Sequence, residues 1–212
     1  IFTAYLLLFR RDYFDKPRSI AMLYVLLTLF PVVLSLFMRH NFMSVYIIPF
    51  AMVPMFVRVF MDSRTAFISH VTMLLICTIA VRYQYEFIII RIVAGLIAIY
   101  SLRELTRRAQ VFKTGILVAM GSALVYLALQ MIQDNDFTIM DHDMYYHFVV
   151  NGVLLLLAYP LMYIVEKMFG FVSSVTLFEL SNTNRGLLRD LSEIAPGTFQ
   201  HSIQVSNLAA EA

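Results

Sequence analysis

Tryptophan is absent, and there is a single cysteine, Cys77, inside an apolar run. One cysteine excludes an internal disulfide framework. Charge is scarce as well: only 14% of residues are Asp, Glu, Lys or Arg, against about 25% in ordinary globular domains. A net charge of +2 gives no basic footprint for a nucleic-acid polymer. The chain carries no long run of like charges and no low-complexity tract. What fills the space is hydrocarbon. The 212 residues are 60% hydrophobic and their mean hydropathy is +0.77. A soluble domain of this size cannot hide so much apolar surface, so lipid is the solvent for most of it. With no Trp, the 12 Tyr and 18 Phe must supply the interfacial aromatic belt.

Apolar runs recur between short charged breaks, at Ile1–Phe9, Ser19–Met38, Ser44–Met61, Ala66–Val81, Tyr85–Leu102, Thr114–Gln133 and His147–Met168. Backbone groups in hydrocarbon must be satisfied within each segment, which predicts an all-α polytopic bundle of about seven spans. Ile1–Phe9 is too short to cross a bilayer and reads as the second half of a span. The chain is therefore expected to be a fragment at both ends.

Lys and Arg set the orientation. Arg10, Arg11, Lys16 and Arg18 fill the first loop, Arg58 and Arg64 flank the third, and Arg103, Arg107, Arg108 and Lys113 the fifth. The alternate loops hold Arg39, then Arg82, then only Asp134, Asp136, Asp141 and Asp143. Odd loops are predicted cytoplasmic and even ones external. The stretch after Met168 then lies inside.

Polar residues within the spans are few. Arg91 either makes a buried polar contact or ligand site, or snorkels to the outer surface. Its neighbour Glu86 is off the ideal i,i+4 spacing. Arg58 is expected to snorkel to the cytoplasmic end. His70, Gln130 and Asn151 read as interhelical hydrogen bonders. Pro31, Pro49, Pro54 and Pro160 are either hinges or ordinary membrane-helix prolines. The cluster Asp141, His142, Asp143 and His147 holds residue types that bind divalent ions, at a spacing that matches no metal loop, and reads as a solvated acidic loop.

After Met168 the pattern turns amphipathic. Leu187, Leu188, Leu191 and Ile194 recur at i, i+1, i+4 and i+7, and Pro196-Gly197 ends that helix. Thr198 is the expected N-cap of the next helix, with His201 in its first turn.

The string "LFELSNTNRGLLRDLSEIAPGTFQHSIQVSNLAAEA" resembles the junction in bacterial seven-transmembrane receptors with an intracellular HD hydrolase domain, the PgpH-type cyclic-di-AMP phosphodiesterases. The close resemblance covers the tail; the preceding spans agree in topology and length. It implies three parts: a transmembrane bundle over 1–168, cytoplasmic linker helices over 169–195, and the start of an HD phosphohydrolase domain over 196–212. It further implies a site of two divalent ions, Mn or Fe, for which His201 matches the first histidine ligand. The other ligands would follow Ala212, so this stretch alone is expected to be inactive. Gly186 stands where relatives often carry Pro, and Gln200 where many carry a second His. The implied partners are membrane lipid, a cyclic dinucleotide and a second copy of the chain. A transporter or channel with a cytoplasmic appendage is the competing reading, supported by Arg91, Asn151 and the prolines.

Overall fold

The computed structural model describes residues 2–40, 44–102, 109–133, 142–172, 177 and 186–211. Every regular element among them is helical. The chain divides into two compact units, 1–173 and 174–212.

The first unit contains α1 (Phe2–Phe9), α2 (Arg11–Phe14), α3 (Pro17–His40), a 3-10 turn at Val45–Ile47, α4 (Met52–Phe60), α5 (Ser63–Thr78), α6 (Gln84–Ser101), α7 (Ala109–Gln133), α8 (His142–Leu155) and α9 (Ala158–Phe169). Three of these, over Pro17–Arg39, Gln84–Ser101 and Gln110–Ile132, are long and apolar enough to cross a bilayer. α8 and α9, bent by 42° at a short break, make a fourth if taken as one span. The chain is a multi-pass membrane protein, a helical bundle as the apolar runs require.

Local chemistry fixes the helix ends. Pro17 occupies the first position of α3, where its missing N–H costs nothing. Asp62 caps α5, its Oδ2 accepting from the backbone N–H of Arg64 at 3.1 Å and Thr65 at 3.3 Å. Gly170 closes α9 with φ +69°, the left-handed conformation that favours glycine. Phe171 then stacks on Phe60 with ring centroids 5.5 Å apart.

α6 packs on both α5 and α7, α7 on α8, and α3 on α5. Glycines bring the α7 and α8 backbones together: a Cβ on Gly115 would lie 2.8 Å from the Gly152 carbonyl oxygen. Close approach through small residues is the usual device where lipid offers no hydrophobic drive between helices. Val32, Leu36, Ile116, Leu124 and Val153 point outward and are exposed, an apolar exterior that only lipid would cover.

The prolines separate into two kinds. Pro31 sits inside an unbroken α3, and Pro54 in the first turn of α4. Pro49 lies in the break before α4, so the run Ser44–Met61 is not one helix. Pro160 follows the break at 156–157 by one turn, within the first turn of α9.

The second unit contains α10 (Gly186–Ile194) and α11 (Pro196–Glu211). α10 matches the Leu187–Ile194 periodicity. The N-cap expectation for Thr198 is corrected: α11 begins at Pro196, and Thr198 is already helical. Proline's fixed φ suits the first helical position, so Ala195 becomes the boundary residue. His201 consequently lies in the second turn, not the first.

Candidate functional site

The residues 44–51 interrupt an otherwise helical bundle. Ser44 Oγ accepts from Tyr46 N at 3.4 Å and starts a single 3-10 turn. Ile48 precedes Pro49 and is extended, φ −63° and ψ 124°, as the proline ring demands. Backbone N–H groups still reach two carbonyls, Ile48 N donating to Val45 at 3.3 Å and Phe50 N to Ile48 at 2.9 Å, but the interruption takes the α-helical donors from this stretch, in a setting where water is not available to replace them.

Two distant side chains complete the satisfaction of the stretch. Arg91 Nη2 donates to the Tyr46 carbonyl at 2.7 Å and the Val45 carbonyl at 3.4 Å. Asn151 Nδ2 donates to the Ile48 carbonyl at 2.8 Å and the Ile47 carbonyl at 3.1 Å. Both side chains are almost wholly enclosed, Arg91 at 1% exposure. Of the two readings open for Arg91, burial selects the polar contact over snorkelling. The guanidinium carbon also lies 5.3–5.9 Å from the ring centroids of Phe50, Tyr46 and Phe87. Three ring faces around a desolvated cation supply attraction of about 0.5–2 kcal/mol each.

His70 extends this cluster. Its Nε2 donates to the Arg91 carbonyl at 2.9 Å. The ring reaches that carbonyl because Gly95 has no side chain; a Cβ there would collide with His70 Cδ2 and Nε2. His70 is thus an interhelical bonder as expected, whereas Asn151 bonds from α8 to the interrupted stretch before α4. Gln130 is not: its Nε2 donates at 2.8 Å to Tyr126 Oη, one turn earlier on the same helix. The i−4 partner was within reach and required no second helix.

A second polar cluster sits at the α1 and α5 ends. Arg10 Nη2 donates to Asp62 Oδ2 at 2.6 Å, and Thr65 Oγ1 donates to Asp62 Oδ1 at 2.6 Å. Partial burial opposes ionisation of Asp62, but the Thr65 hydroxyl and backbone N–H and the Arg10 guanidinium outweigh it and hold its carboxyl below the ordinary value. The Asp62 carboxylate in turn raises Arg10. Sequence reasoning did not single out Asp62. Its signal was there: an Asp three residues before Thr65 at the head of an apolar run is a helix start. Arg58 is half-buried at the end of α4.

The remaining predicted features are scattered. Arg103, Arg107, Arg108, Asp134, Asp136 and Asp141 lie outside the described residues. Asp143 is exposed in the first turn of α8. No group of three or more His, Cys, Asp or Glu among the described residues could hold a metal ion. His201 stands on α11, exposed along with every residue from Gln200 to Glu211. An exposed imidazole is chemically fit to be one metal ligand, and a metal centre needs further donors.

The profile of the family described as "7TM receptor with intracellular HD hydrolase" matches residues 1–173. The cyclic-di-AMP phosphodiesterase PgpH of Bacillus subtilis (strain 168) is 29% identical over 210 residues, which cover 93% of this chain and 29% of that protein. Cyclic-di-AMP phosphodiesterase PgpH of Listeria monocytogenes (strain 10403S) is 26% identical over 192 residues, 87% of this chain and 26% of that protein. An uncharacterised protein of Synechocystis is 34% identical over 134 residues, 60% of this chain and 16% of that protein. The chain therefore spans less than a third of the length of these relatives. No solved structure matches.

Proposed function

This chain belongs to the family of 7TM receptors with an intracellular HD hydrolase, and from that premise we propose that it is the membrane sensor and anchor region of a metal-dependent cyclic-di-AMP phosphodiesterase. The observation that carries the reading is how far the likeness runs. The Bacillus phosphodiesterase aligns with 93% of the chain, while the family profile stops at residue 173. The alignment must therefore enter the tail that holds α10 and α11. The tail is assigned to the cytoplasmic side of the plasma membrane on the strength of the Arg and Lys bias.

In this reading α11 is the first helix of the HD domain, residues 169–195 are the linker, and His201 is the first ligand of a two-ion centre completed by residues downstream. Mn and Fe both suit imidazole and carboxylate donors. Such a pair of ions, when bound, activates water and stabilises the charge that develops on a phosphodiester. His201 contributes a neutral nitrogen donor and does nothing alone. The apolar face of α10, with Leu187 and Ile194 some 85% exposed, supports a homo-oligomer paired along the linker.

The test uses the full-length protein. His201→Ala should abolish Mn-dependent hydrolysis of cyclic di-AMP and lower the bound metal, while leaving membrane insertion unchanged. A His201→Ala protein with full activity and metal content would reject the ligand assignment. Labelling a cysteine placed at position 201 from the outside of intact cells would reject the orientation.

A further inference from the structure

Where the ends of α1 and α5 meet, Tyr5, Phe9, Arg10, Arg64, Phe67 and Ile68 line a cleft of about 330 Å³. We propose that this cleft binds an anionic phospholipid, with Arg64 holding the phosphate and the aromatic wall holding the first part of an acyl chain.

The placement comes first. Arg10 follows directly on the apolar run of α1, and Arg64 is the second residue of α5. Both guanidiniums therefore stand at the level where hydrocarbon gives way to headgroups. Below them the lining is Tyr5, Phe9, Phe67 and Ile68, and the Tyr5 and Phe9 rings stack with centroids 5.8 Å apart. A ligand that fits must be anionic at one end and hydrocarbon at the other.

Charge comes second. Asp62 is the nearby carboxylate, and its oxygens are already engaged: Oδ2 by Arg10 Nη2, Arg64 N and Thr65 N, and Oδ1 by Thr65 Oγ1. It pairs with Arg10, and it makes no ion pair with the Arg64 side chain. The Arg64 side chain is exposed and makes no ion pair among the described residues. The cleft thus keeps about one unit of positive charge in a planar fork of donors, the geometry that matches a phosphate bidentately. A phosphate ester could come from a lipid headgroup or from solution. The apolar lining and the position at the bilayer edge select the lipid.

The experiment is native mass spectrometry of the full chain in neutral detergent, titrated with phosphatidylglycerol or with phosphatidylcholine of the same acyl chains. Phosphatidylglycerol should bind about tenfold more tightly, and Arg64→Gln should remove about that factor. Arg64→Lys, which keeps the charge and guards against a folding defect, should retain most of the binding. Arg82→Gln, at an exposed arginine in another loop, should change nothing. The proposal is overturned if Arg64→Gln binds phosphatidylglycerol like the wild type, if Arg82→Gln loses as much, or if inorganic phosphate alone displaces the lipid.

Discussion

Substituting Gly95 by Ala tests how tightly the buried polar cluster is built. In most helices this change helps, by up to about 1 kcal/mol, because alanine is the better helix former. Here the new methyl would occupy the space of the His70 ring, and His70 is 0% exposed with nowhere to retreat. Overpacking of a closed interior costs about 1–3 kcal/mol. Expelling the ring also forfeits its 2.9 Å bond to the Arg91 carbonyl, worth about 0.5–1.5 kcal/mol. The collision wins, and Gly95→Ala should destabilise the bundle by about 2 kcal/mol net. The decisive background is His70→Ala. With the ring gone, Gly95→Ala should cost nothing or stabilise by up to about 1 kcal/mol, so the effect changes sign. The assay is a double-mutant cycle on reversible unfolding in mixed detergent micelles. An equal cost of Gly95→Ala in both backgrounds would refute the packing argument.

Asn151→Leu keeps the branched shape and removes both donors to the Ile47 and Ile48 carbonyls; it should destabilise by about 1–3 kcal/mol in the same unfolding assay. Asp62 contributes to stability only while ionised. Its carboxyl is lowered by folding, so the contribution is fully present above the unfolded value of about 4 and is lost as pH falls through the lower folded value. Asp62→Asn should flatten that acid limb of a stability–pH curve. Gly170→Ala meets both a left-handed φ of +69° and the Arg18 guanidinium, whose Nη1 would lie 2.8 Å from the new Cβ. It should cost about 1–2 kcal/mol in the same unfolding assay.

Periodicity and hydropathy located α3, α6 and α7 to within a few residues, since each of them buries its backbone polar groups locally and needs no partner to do so. The breaks were another matter. Ser44–Met61 reads as one apolar run, and Pro49 signals only a kink. The unwound 44–51 stretch exists because Arg91 and Asn151, far along the chain, donate to its carbonyls, and no local pattern encodes that pairing. Gly95 was equally silent, because its meaning lies in His70 on another helix. Thr198 lost its expected cap to a proline two residues earlier, a competition visible in the sequence once Pro196 is read as a first helical residue and not as a terminator. His201 gained a role from the resemblance of the string around it; its exposed place on α11 adds only that the imidazole is free to be used.

The competing reading, a transporter, leaned on Arg91, Asn151 and the proline breaks. A conduction pathway needs such groups to face a solvated cavity and exchange partners as substrate passes. Arg91 and Asn151 face carbonyls instead, and between them they occupy the acceptors of Val45 through Ile48. Releasing either one to meet a substrate would strand at least one carbonyl in an apolar interior, at about 1–3 kcal/mol per group. Arg91 would also leave the three ring faces that compensate its desolvation. Several kcal/mol of opposition would have to be repaid by each substrate bound. The same bonds favour an anchor: they tie α6 and α8 to the segment leading into α4, so that a displacement of one helix is borne by the others. At the far end of this tied group Phe60 of α4 meets Phe171, beyond the end of α9. A strained bundle would pass its movement to the following chain at that stack, which makes Phe60→Ala the substitution to compare with Gly170→Ala. If coupling runs through the stack, both should shift the cyclic-di-AMP hydrolysis proposed for the full-length protein, and Phe60→Ala should do so without the strain that a Cβ at position 170 introduces.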